Sequence, residues 1–353
     1  MKKYAIITIL LAVLLAIPST AFSQRRKAKK NKTVAKKEEV VEDPRIAQML
    51  ASTQKIVFID SIVVGLKDFM NHIPLTKECG KVEQKNGLGQ YTNEMGDQRL
   101  TTVKAPNDTA THILSSYFIG NEWTKASQAK GIGNASANYP FMMPDGITLY
   151  YAQKGGKSIG GYDIFVTRYD AQSGSFLQAE NMGMPFASKA NDYFLAIDET
   201  HQLGYFVTDR RQPKGKVCIY VFIPNNSRRV YETEKYSEQK IRSLASINRI
   251  ADTWGDKQSR KQAMGRYEEV KALVAASRQE SRDSSTLLDQ LRHQAEVLEK
   301  ALTLARSLYA RSNDEERKNM RDEILKNERE LEQLQQQIKT KEKEERNKQY
   351  MNQ

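Results

Sequence analysis

Two stretches of this chain repeat one another about fifty residues apart, and that recurrence limits its folds more than any other feature. The first, "FMMPDGITLYYA…GGYDIFVTRY", starts at Phe141, and the second, "FLAIDETHQLGYFVTDRR…GKVCIYVFIP", starts at Phe194. Asp145 recurs as Asp198, 53 residues on, and Ile164 recurs as Ile219, 55 on. One period upstream, "YTNEMGDQRLTTV" carries Asp97 and Leu100 in the turn-then-strand positions, and Leu114 of "HILSSYF" lies 50 residues before Ile164. The unit reads as aromatic strand, acidic turn, aromatic strand, polar loop and third strand.

Self-similarity at this period predicts an array of small antiparallel sheets, as in a β-propeller. Asp145-Gly146 suits a tight turn because glycine accepts positive φ, and Pro144 presets the entry φ. Leu149, Tyr150 and Tyr151 supply both faces of a strand packed between neighbouring sheets. Tyr205, with Phe206, takes that place in the later copy, followed by Asp209-Arg210.

"PFMMPDGITLYYA…GGYDIFV" resembles the WD40-like propeller repeat of TolB-type periplasmic proteins. Pro140, Phe141, Pro144, Asp145, Gly146, Leu149, Tyr150, Asp163, Ile164 and Phe165 fit that repeat, and Met143 departs from its usual small hydroxyl residue. The later copy keeps Asp198, Leu203, Tyr205, Asp209 and Ile219 but lacks the Pro and Gly of the turn. The resemblance covers roughly residues 88–225. It implies a Gram-negative envelope protein; relatives often carry a peptidoglycan-binding domain, whose place is taken here by a helical tail. Three units fall short of the about four to eight blades of a closed ring. Residues 54–87 are expected to supply a fourth unit or lend strands to the last. The alternative is an incomplete ring, capped by the helices or completed by a partner. Closure would bring the first and last units together, the arrangement in which Cys79 and Cys218 form a disulfide. The alternative is two separate small apolar side chains.

The N-terminus reads as a secretory signal. Lys2 and Lys3 precede a thirteen-residue run from Ala5 to Ile17, Pro18 breaks it, and Ala21-Phe22-Ser23 provides small residues for cleavage between Ser23 and Gln24. The run is shorter than the roughly 20 residues of a spanning helix. Five segments result: a signal peptide over 1–23, a basic linker over 24–43, a propeller domain over 44–227, a helical hairpin over 228–283 and a coiled coil over 284–353.

The formal net charge is +12, yet residues 24–43 and 228–353 each contribute only +4. No domain is strongly basic, and export conflicts with nucleic-acid binding. The one basic run, residues 25–37, is expected to touch an anionic membrane or cell-wall polymer or to be a solvated spacer.

After Tyr236, Gly and Pro nearly vanish. Ile241, Leu244, Ile247 and Trp254 predict a helix over 236–254 capped at Gly255, and Met264, Tyr267, Val270 and Leu273 predict a second over about 257–279. From Ser284, heptad spacing through Leu287, Leu291, Gln294, Leu298, Ala301, Ala305 and Leu308 predicts a coiled coil that folds back or pairs with a partner, including a second copy. Ser312-Asn313-Asp314-Glu315 reads as the capping box of a further helix, continued by Ile324, Asn327, Leu331, Leu334 and Ile338.

No catalytic, metal or cofactor pattern emerges. Asp163 and Asp192 read as turn or strand-end partners. The glycine loops at 129–136 and 154–161 lack Walker spacing, and the four histidines are scattered. The loop with Arg210, Arg211, Lys214 and Lys216 reads as solvated or anion-binding. The expected fold class is mainly β plus α, a small or incomplete β-propeller followed by a helical, coiled-coil tail. The expected function is a non-catalytic exported scaffold, in the periplasm or on the periplasmic face of the outer membrane, that docks envelope proteins. The alternative is a propeller enzyme or binding module acting on envelope glycans.

Overall fold

The computed structural model describes residues 43–105, 108–120 and 122–351, apart from the side chains of 281, 284, 285 and 348–351. The expected leader, its cleavage between Ser23 and Gln24, and the basic run over 25–37 lie outside the described residues.

The strand-and-turn region folds as three antiparallel sheets, and long helices follow it. After α1 (Pro44–Ala51) comes β1 (Val57–Gly65). The first sheet then runs β2 (Lys81–Lys85), β3 (Leu88–Thr92), β4 (Gln98–Lys104), β5 (Thr111–Ile119) and β6 (Glu122–Trp123), with β7 (Ser127–Gln128) also on β5. The second comprises β8 (Ser136–Met142), β9 (Thr148–Lys154), β10 (Tyr162–Asp170) and β11 (Ser175–Phe176), with β12 (Glu180–Asn181) also on β10. The third comprises β13 (Asp192–Asp198), β14 (Leu203–Thr208) and β15 (Lys216–Ile223), and β1 completes it by pairing antiparallel with β15. Residues 54–87 therefore lend one strand to the last sheet and one to the first.

The turn chemistry is as expected in the second sheet. The Asp145 carboxylate accepts the Ile147 and Thr148 N–H groups at 2.8 Å each, and Gly146 sits at φ 66°. In the first sheet Asn93 takes the aspartate's role, accepting from the Asp97 and Gln98 N–H groups. Asp198 differs. It ends β13, paired with Leu203 and fully buried, rather than standing at an exposed turn.

Equivalent aromatics join the sheets. Phe141 lies edge-on to Tyr91 of the first sheet and Phe194 of the third, at ring separations of 5.7 and 6.0 Å. Phe69, in a 3₁₀ turn over Phe69–His72, is fully buried against Tyr139, Tyr193 and Phe194. Tyr139 adopts φ 52°, and the buried Asn138 amide holds it there by accepting the Tyr139 and Gly89 N–H groups.

β13, β14 and β15 of the third sheet are buried on both faces, so they read as near-continuous apolar runs, whereas edge strand β1 carries Asp60-Ser61 and exposes residues 61–63. Val207, Val217, Ile219 and Val221 face the main core, whereas Leu195, Phe206, Cys218 and Phe222 face a second core shared with Ile164 and Phe186. Of the two arrangements open for the cysteines, the structure has the separate one: Cys79 and Cys218 are both free and buried. Cys79 lies in the main core and Cys218 in the second, because side chains alternate across a strand and Cys218 falls between Val217 and Ile219. Ile164 and Ile219, matched in the repeat, likewise enter different cores.

The helices depart from the expected boundaries. Residues 228–231 are part of the β body, since Gln54 bridges Val230 and the Tyr231 N–H donates to the Thr53 carbonyl. α2 (Glu238–Ala245) packs beside α1 through Ile46, Leu50, Ile241 and Ala245. α3 (Lys257–Arg311) is a single 55-residue helix with no break near 283, because nothing between Gly265 and Ser312 interrupts it. Its first turns bury Ala263, Tyr267 and Val270 in the main core, with Tyr267 beside Tyr205. The hairpin is formed instead by α3 and α4 (Asp314–Met351). Arg292–Glu342 and Arg306–Glu328 ion pairs fix their antiparallel register.

Candidate functional site

The densest polar cluster lies at one end of the third sheet. Arg210, just after β14, donates through Nε and Nη2 to Asp192 Oδ1 at 3.1 and 2.9 Å. Its Nη1 donates to the Ala245 carbonyl at 3.1 Å, and Nη2 also reaches the Pro185 carbonyl. Ser188 Oγ donates to Asp192 Oδ2 at 2.9 Å, while the Ser188 N–H donates to Asp163 Oδ1 at 3.4 Å. Asp163 further accepts the Ile159 N–H and Asn181 Nδ2, both at 2.8 Å. Burial pushes the Asp163 carboxyl up to about 6, against the lowering effect of the Ile159 N–H and with a further rise from the Asp192 charge. Burial also raises Asp192, and the Arg210 guanidinium pulls it back.

Asp209 extends the cluster. It accepts the Asn191 N–H, the Asn191 amide at 2.8 Å and the Tyr193 hydroxyl at 3.0 Å. Arg211 donates to the Ser246 and Ile247 carbonyls, both at 2.6 Å. The two arginines, read as part of a solvated or anion-binding loop, therefore satisfy the carbonyl of Ala245 at the end of α2 and those of Ser246 and Ile247 just beyond it, groups a helix C-terminus leaves open. This explains why the helix expected over 236–254 stops at Ala245: Ile247 adopts φ 51° and buries in the second core. Lys214 and Lys216 are the exposed remainder of the loop.

The other end of the sheet holds a His–Asp pair. His201 Nδ1 lies 2.8 Å from Asp198 Oδ2, and Thr76 Oγ1 lies 3.4 Å from the same oxygen and 3.9 Å from Cys79 Sγ. The residue types suit thiol catalysis, but the thiol does not. Burial, then the nearby Asp198 charge, pushes Cys79 up to about 12, so it stays protonated, and its side chain is 1% exposed. Among the described residues no three His, Cys, Asp or Glu side chains come together to hold a metal ion.

Part of each glycine loop is packed against the protein itself, at Gly131 in one and at Gly160 and Gly161 in the other, while Gly133 and Gly155 face open space. A Cβ at Gly131 would lie 1.9 Å from the Phe176 carbonyl oxygen, and one at Gly160 would lie 2.4 Å from that of Ser188. Gly131 and Gly160 thus permit close backbone packing. The repeat residues are likewise structural. Pro140, Phe141, Tyr150, Ile164, Tyr205 and Ile219 lie in strands, Pro144, Asp145 and Gly146 form one turn, and Asp163, Asp198 and Asp209 anchor others. Sequence reasoning missed Arg210 as the partner of Asp192; an arginine beside a fully apolar strand run was the available signal.

No protein-family model matches the chain, and no curated protein matches it. The class defined by the fold is a three-sheet β body carrying a long helical hairpin. Among the described residues no helix is long and apolar enough to cross a membrane.

Proposed function

We propose that the chain is a non-catalytic scaffold of the cell envelope, exported to the periplasm, with its β body as a docking platform and the α3–α4 hairpin as an assembly arm. The three sheets are then blades of an incomplete propeller. Phe69, Met70 and Ile73, with Ala263, Tyr267 and Val270 at the start of α3, are buried in the same core as the sheets, which supports a cap on an incomplete ring. One observation carries this reading: α3 is anchored in the core by Ala263, Tyr267 and Val270, and the same unbroken helix continues into the hairpin. A rigid lever joined to a packed body suits assembly. The body's polar side chains support it too, because Asp163, Asp192, Asp209 and Arg210 hold turns and helix ends instead of converging on an accessible cleft.

The test is crosslinking with mass spectrometry in intact cells, comparing the full chain with one ending at residue 283. The expected result is crosslinks to envelope proteins that involve the hairpin and disappear with it. Hydrolysis or lyase activity on envelope glycans, with neighbours unchanged by the truncation, would refute the proposal.

A further inference from the structure

The hairpin buries one side of α3 and leaves a second apolar stripe uncovered. The inner seam is Leu288, Leu291, Ala295, Leu298, Leu302, Ala305 and Tyr309, all buried or half-buried. It faces Met320, Ile324, Asn327, Leu331, Leu334 and Ile338 of α4, all half-buried. This seam lies one residue from much of the expected one, because α4 covers the side facing Leu288 and Leu302 rather than Leu287 and Leu308. The stripe left over keeps a heptad of its own through positions 287, 290, 294, 297, 301, 304 and 308. Leu287 is 43% exposed, Val297 54%, Leu304 62% and Leu308 49%. Two interleaved heptads on one helix mark a helix built for two helical neighbours, and this chain supplies one.

We propose that the outer stripe of α3 pairs with the same stripe of a second copy of this chain, antiparallel, as the core of a two-fold dimer. The proposal rests on reading the hairpin as an assembly arm. Charge and geometry select this occupant and orientation. Antiparallel packing in a–d layers sets Leu287 against Leu304 of the second copy, Val297 against Gln294, Ala301 against Gln290 and Leu308 against Asp283 at the seam's edge. It also sets Glu280 against Arg311 at both ends of the seam. Parallel packing would instead place Glu280 on Glu280 and Arg311 on Arg311. It would also bring two β bodies to one end, since each α3 enters its own body through Val270 and Tyr267. The stripe begins past Val274, the last α3 residue packed on the body's main core, and past Arg278, whose Nη1 donates to the Asn71 carbonyl of the body at 2.9 Å. A two-fold axis makes every such contact twice. The Gln290 and Gln294 layers fix the register at a cost in stability.

The experiment is sedimentation equilibrium on the purified full chain, followed by cysteine crosslinking. The expected mass is that of a dimer at micromolar concentration. Leu304→Glu should raise the dimer dissociation constant at least about 100-fold, since each dimer loses two buried leucines. The variant should keep the helix content of the monomer, because Leu304 is exposed there. A mixture of Leu287→Cys and Leu304→Cys chains should form a disulfide-linked dimer that neither chain forms alone. Within one helix these positions are about 25 Å apart, so parallel pairing cannot join them. A monomer at high micromolar concentration, or self-crosslinking of Leu287→Cys alone, would overturn the pairing. A monomer that still crosslinks to envelope proteins in cells would overturn this inference and leave the scaffold reading standing.

Discussion

Replacing Arg210 by methionine should be the most damaging single change in the β body that leaves every strand residue in place. Asp192 is fully buried and Arg210 is 4% exposed, so their ion pair is hardly screened by solvent. Methionine fills the volume but leaves the carboxylate without its cation, and removing one partner of a buried pair costs about 3–5 kcal/mol. The Ala245 and Pro185 carbonyls also lose their guanidinium donor, at about 1 kcal/mol each. Together these approach a large share of the roughly 5–15 kcal/mol by which a domain is stable. Urea denaturation followed by tryptophan fluorescence measures this well. Trp254 donates its indole N–H to the Phe58 carbonyl at 2.8 Å and so reports on the join between β1 and the segment after α2. The loss should shrink at acid pH, where protonation neutralises Asp192. Asp192→Asn added to Arg210→Met should recover about 2 kcal/mol, because the stranded charge is gone. A single-variant cost below about 1 kcal/mol, or a double variant no better than the single, would refute the reasoning.

Three further outcomes are expected. Gly204→Ala should destabilise by about 3 kcal/mol, because its Cβ would lie 2.2 Å from the buried Phe222 ring, and a melting curve checks this. Asp163 has a folded pKa of about 6 against an ordinary 3.8, so its contribution to stability is fully present below 3.8 and is lost as pH rises through 6. Relative to Asp163→Asn, the natural chain should gain about 2 kcal/mol between pH 7 and pH 4.5; a flat difference across paired urea titrations would contradict the assignment. Tyr267→Ala, which removes the ring beside Tyr205, should cost about 3–5 kcal/mol and loosen α3 from the third sheet, seen as faster amide exchange at Val270.

The amino-acid pattern alone determined the strand-and-turn units, the Asp145-Gly146 turn, the helical tail and the seam of α4. These are local: turn chemistry, alternation and heptad spacing act within a few residues. The capping box was legible to within one position. Asn313 and Glu316 form it, with Asn313 Oδ1 accepting the Glu316 N–H at 3.0 Å and Glu316 Oε2 accepting the Asn313 N–H at 3.1 Å. Tertiary structure decided the rest. The stop of α2 depends on Arg210 and Arg211, some 35 residues away in sequence. The separation of the two cysteines depends on which face of β15 each core covers, and the inner seam of α3 depends on where α4 lies. Two heptads one residue apart overlap on α3, and spacing alone does not select the inner one, because packing energy belongs to the pair of helices and not to either one.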